Sequence, residues 1–122
     1  MSQSLHETFD VLADAGVINN EVQDFISDNL KEVFELRPYQ QEAISRFTYY
    51  FEEYNQRVKP SHLLYHMATG SGKTLVMAAN ILYLYKKGYR NFLFFVNSTN
   101  VLQKTKENFL NKNSSKYLFD SK

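Results

Sequence analysis

The chain has 122 residues, enough for one domain and too few for several. Its 43% hydrophobic and 16% aromatic content argues for a packed core rather than disorder, and the lack of cysteine excludes a disulfide framework, thiol chemistry and cysteine-ligated zinc. The formal net charge of +1 hides a division: residues 1–55 carry three basic and eleven acidic groups, net −8, and residues 56–122 carry eleven basic and two acidic, net +9.

Such polarity suits a nucleic-acid face or two halves that attract each other; the plainer reading is ordinary solvated faces. No basic region followed by an apolar run opens the chain, and no apolar stretch reaches membrane-spanning length. A soluble, cytoplasmic protein without a membrane partner is the expectation.

Leu5, Phe9 and Leu12 recur at spacings of four and three, which predicts a helix from Ser4 to Ala15 ended by Gly16. A second helix should follow the capping candidates Asn19 and Asn20 and run through Val22, Phe25, Ile26, Leu30 and Val33. These helices make residues 1–35 an N-terminal extension without residues of evident chemistry. Pro38 suits the first turn of a third helix, since its missing N–H costs nothing there. That helix reaches about Asn55, with Ala43, Ile44, Phe47, Phe51 and Tyr54 as its apolar stripe.

After a polar loop around Lys59 and Pro60, residues 62–66 read as a short strand. A helix beginning at Lys73 is apolar nearly all round and should stop at Lys86-Lys87-Gly88. The run Phe92-Leu93-Phe94-Phe95-Val96 reads as a second strand, covered on both faces as in a parallel sheet. Strand, helix and strand in this order predict a right-handed βαβ crossover. A last helix, capped by Ser98 or Thr99, reaches about Leu110, and a polar, mobile tail follows over 111–115.

Between the first strand and its helix lies Ala68-Thr69-Gly70-Ser71-Gly72-Lys73-Thr74. Glycines let the backbone curl so that amide N–H groups converge on phosphate oxygens, and the helix start adds partial positive charge. Gly70, Ser71 and Gly72 would form this cradle. Lys73 would bring a cation to the β- and γ-phosphates of ATP, and the Thr74 hydroxyl would hold Mg²⁺. The general phosphate-loop pattern has glycine where this chain has Met67.

The stretch A-T-G-S-G-K-T resembles motif I of superfamily-two helicases and translocases. Upstream, Leu36-Arg37-Pro38-Tyr39-Gln40 resembles the adenine-recognition motif of the same enzymes, which implies that Arg37 and Gln40 meet the base. A glutamine amide offers both a donor and an acceptor, matching N6 and N7 of adenine. Downstream, N-S-T-N-V-L-Q-K-T lies where motif Ia contacts nucleic-acid phosphates, which implicates Ser98, Thr99 and Lys104. Asn97 stands where that motif usually has proline.

Together these segments, over roughly residues 33–120, resemble the restriction (Res) subunit of type III restriction enzymes and related DEAD/DEAH-type helicases. The resemblance implies an α/β fold: a partial P-loop, RecA-like domain over 36–122 with a short parallel sheet. It implies ATP-driven translocation on DNA and a modification (Mod) subunit as partner. Two strands leave exposed sheet edges, an invitation to homo-oligomerise. No Asp-Glu pair follows a strand-like run, and Asp120 is a poor substitute for that Mg²⁺-holding motif. The chain therefore reads as the N-terminal piece of a motor that cannot itself hydrolyse ATP. The alternative is a non-catalytic interaction module, docked through its acidic front, with a vestigial nucleotide loop. A small-molecule kinase is disfavoured, because L-R-P-Y-Q has no role there.

Overall fold

A computed structural model describes residues 4–31, 34–68, 72–114 and 117–119. Its helices are α1 (Leu5–Asp14), α2 (Asp24–Asn29), α3 (Pro38–Glu52), α4 (Lys73–Lys86) and α5 (Thr99–Leu110). They fall into two compact units, one drawn from Met1–Val22 and Leu36–His66, the other from Gln23–Glu35 and Met67–Lys122. No helix among the described residues is long and apolar enough to cross a membrane.

In the first unit, α1 begins with a reciprocal cap. The Ser4 hydroxyl accepts from the Glu7 N–H at 3.2 Å, and the Glu7 carboxylate accepts from the Ser4 N–H at 3.0 Å. Gly16, at φ 78°, supplies the left-handed residue that ends the helix. Phe9 then reaches an aromatic cluster, edge-on to Tyr49 of α3 at 5.6 Å and to Tyr54 just beyond that helix at 5.2 Å between ring centroids. Ile18, Tyr50, Leu12 and Leu63 complete this core. Each such ring pair contributes about 0.5–1.5 kcal/mol beyond the area it buries. Arg46 of α3 ties the helices together, with Nη2 at 2.8 Å from Asp10 of α1 and 2.7 Å from Glu42 one turn back.

In the second unit, α2 packs against α4, and Ile26, Val76, Ala78, Ala79 and Tyr83 are buried. The Lys86 ammonium lies 5.7 Å from the Phe25 ring centroid. Beyond α2 the chain extends: Leu30 forms an isolated antiparallel bridge with Phe119, and the Lys31 N–H donates to the Leu118 carbonyl at 2.8 Å. Hence the second helix is shorter than its periodicity predicts; Leu30 belongs to a non-local pairing, and Val33 lies outside the described residues. The tail forms a turn over 111–114, with the Ser114 N–H bonded to the Asn111 carbonyl at 3.0 Å.

The expected α/β architecture is overturned. Among the described residues there is no strand and no sheet, so neither the parallel sheet nor the βαβ crossover is present. Residues 62–66 and 92–96 carry no regular secondary structure. Leu93 and Phe95 are each 84% exposed, whereas Phe92, Phe94 and Val96 are each 38% exposed. This alternation suits an extended backbone whose sides differ, but a strand needs hydrogen-bonding neighbours, and a helix does not.

Candidate functional site

The phosphate-loop candidates lie in the second unit. Gly72 adopts φ 83° and ψ 37°, a left-handed conformation that glycine enters without a Cβ penalty, and it stands at the N-cap of α4. Its carbonyl accepts from Leu75 and Val76 at 3.1 and 3.3 Å. No side chain caps this helix, and the Lys73 and Thr74 amides have no partner among the described residues. Two backbone donors, the positive end of the helix and the exposed Lys73 side chain thus occur together. Thr74 is half-buried at the second helical position. Gly70 and Ser71 lie outside the described residues. No group of three acidic, imidazole or thiol side chains suited to a metal ion occurs among the described residues.

The base-reading candidates lie in the first unit. Arg37 is the N-cap of α3, extended at φ −76° and ψ 156°, as the following Pro38 requires. Gln40 is 4% exposed, and its Oε1 accepts from the Arg37 N–H at 2.8 Å. The glutamine therefore caps its own helix, a duty that its place three residues past the N-cap could have signalled. The Arg37 guanidinium is exposed, and its Nη1 donates to the Tyr39 hydroxyl at 3.1 Å.

Of the nucleic-acid candidates, Ser98 is the N-cap of α5, but its hydroxyl makes no capping bond. Thr99 and Lys104 are exposed, and α5 buries no residue fully. A residue with no part in the sequence reading ends α4: the Arg90 Nη1 donates to the carbonyls of Tyr85 at 2.7 Å and Tyr89 at 3.0 Å, with its guanidinium carbon 4.1 Å from the Tyr85 ring centroid.

A profile of the type III restriction enzyme res subunit matches residues 33–122. The chain belongs to that family. It is also similar to the probable type III restriction-modification enzyme HindVIP Res subunit of Haemophilus influenzae (strain ATCC 51907 / DSM 11121 / KW20 / Rd). The two are 43% identical over 107 residues, covering 81% of this chain and 20% of the relative. The chain thus spans about a fifth of the length of that res subunit. No solved structure matches it. The family match takes in α3, α4 and α5; α1 and α2 precede it.

Proposed function

We propose that this res-subunit chain is the nucleotide-binding segment of an ATP-driven DNA translocase in a type III restriction system. The observation that carries the reading is the start of α4. There Gly72 is left-handed, the Lys73 and Thr74 amides have no partner among the described residues, and Lys73 is exposed, within a chain of the res-subunit family.

In this reading the Gly70–Gly72 amides and those of Lys73 and Thr74 receive phosphate oxygens, and the Lys73 ammonium offsets their charge. Thr74 would hold Mg²⁺, which when bound supplies further neutralisation of the β- and γ-phosphates. Arg37 and Gln40 contact adenine. Ser98, Thr99 and Lys104 meet DNA phosphates, so their removal weakens binding without changing sequence preference. A modification subunit is the protein partner, and the cytoplasm is the compartment.

Calorimetric titration of ATP into the wild type and Lys73→Ala tests the reading. Weak binding in the wild type that disappears in Lys73→Ala is expected, with circular dichroism showing that both fold alike. Equal affinity in the two proteins sinks the assignment.

A further inference from the structure

The end of α4 gathers positive charge against aromatic rings. The Lys86 ammonium lies 5.7 Å from the Phe25 ring centroid, that of Lys87 5.5 Å from Tyr83, and the Arg90 guanidinium carbon 4.1 Å from Tyr85. A ring attracts a cation without neutralising it, and Lys86 and Arg90 have no carboxylate partner among the described residues. No acidic residue occurs in the sequence between Glu53 and Glu107, and residues 85–97 are all exposed.

Within this patch Arg90 is held in one direction. Its bonds to the Tyr85 and Tyr89 carbonyls both use Nη1. The edge formed by Nε and Nη2 makes no hydrogen bond among the described residues. That edge is a planar fork whose two donors match two oxygens of one phosphate. Closing the end of α4 therefore accounts for one side of the guanidinium and leaves the other unused. Beside it, the Tyr85 and Tyr89 side chains are accessible, the residues being 48% and 56% exposed.

We infer that the end of α4 is a contact site for single-stranded nucleic acid. The Arg90 fork receives a backbone phosphate, Lys86 and Lys87 add charge along the strand, and a base stacks on Tyr89. A single strand fits better than a duplex, because its unpaired bases are free to meet a ring. An acidic protein would use the cations and leave the rings without a role. The site lies outside the motif segments of the sequence and needs no nucleotide. Lys73 and Lys86 stand at opposite ends of α4, about 20 Å apart along its axis and so beyond a screening length of about 10 Å.

Fluorescence anisotropy on the 122-residue chain tests the inference over a salt series. The probes are labelled oligothymidylate of about 12 nucleotides, an abasic strand of equal length, and polyglutamate. The wild type should bind oligothymidylate more tightly than either of the others. Tyr89→Leu keeps apolar bulk at an exposed position, and it should weaken oligothymidylate alone, by about fivefold. Arg90→Gln should weaken both strands and lower the slope of log affinity against log salt by about 0.7. Lys73→Ala should bind the strands as the wild type does, whether or not it loses ATP, so failure of the nucleotide reading leaves this one standing. Circular dichroism melts identify a variant that does not fold, and Tyr89→Leu decides the base contact if Arg90→Gln is such a variant. The inference is overturned by a wild type that binds no oligothymidylate or binds the abasic strand or polyglutamate equally well. It is also overturned by unchanged affinity in Tyr89→Leu, an unchanged salt slope in folded Arg90→Gln, or an equal loss in Lys73→Ala.

Discussion

Replacing Gln40 with alanine probes two roles of one side chain, and their magnitudes separate them. The structural role is the 2.8 Å bond from the Arg37 N–H, made by an amide that is 4% exposed. Losing that bond costs about 1 kcal/mol, and losing the buried methylene adds about 0.8 kcal/mol. The side-chain entropy no longer lost on folding returns roughly 1 kcal/mol. The net loss is about 1 kcal/mol, a fall of roughly 3–6 °C in melting temperature for a chain of this size. A nucleotide role appears elsewhere: a bidentate amide contact to the base discriminates by about 1–3 kcal/mol, and removing it should narrow a preference for ATP over GTP by about 5- to 150-fold. Thermal melts followed by circular dichroism read the first effect. Competitive titration of ATP and GTP, well below the variant's melting temperature, reads the second. An unchanged melting temperature refutes the capping argument. An unchanged ATP:GTP ratio, in a protein that prefers ATP, removes Gln40 from base recognition.

Three further outcomes are expected. Arg46→Met keeps the buried stem but removes both ion pairs, whose carboxylates are 46% and 43% exposed. A loss of about 1–2 kcal/mol follows in urea unfolding, shrinking in 1 M salt, and a salt-independent loss contradicts the electrostatic account. Gly88→Ala meets no atom within 4 Å at its new Cβ, yet φ +111° is strained for alanine. It should cost about 1–2 kcal/mol through backbone conformation alone, and wild-type stability would refute that. The isolated chain should release no phosphate from ATP above background, with or without DNA, because no residue in its sequence convincingly aligns the attacking water. Steady release that Lys73→Ala abolishes would contradict this.

The helices were legible in the sequence because their signals are local. Ser4 with Glu7, Pro38, Gly72-Lys73 and Ser98 each mark a helix start, and Gly16 and Gly88 each follow a helix end. The extended runs at 62–66 and 92–96 were misread for the converse reason: hydrophobic pattern shows what a segment would bury, not whether a neighbour is present to pair with it. The end of α2 was missed because Leu30 pairs with Phe119, 89 positions away, and no local signal encodes that. At the candidate site, motif spacing placed Lys73 and Thr74 at a helix start. The bond from the Arg37 guanidinium to the Tyr39 hydroxyl was not foreseen, because side-chain directions are not written in the motif.

The pairing of α2 with α4 bears on how this protein should be handled at the bench. The family match begins at residue 33, after α2 has ended, and a cut there would look natural on a domain map. It would strip away Ile26, which is fully buried, and Phe25, whose ring receives Lys86. It would also remove Leu30 and Lys31, the partners of Phe119 and Leu118. A recombinant product starting at residue 33 would therefore carry α4 without the helix that packs against it. Poor solubility of such a product would report on the trimming of α2 rather than on the family segment itself.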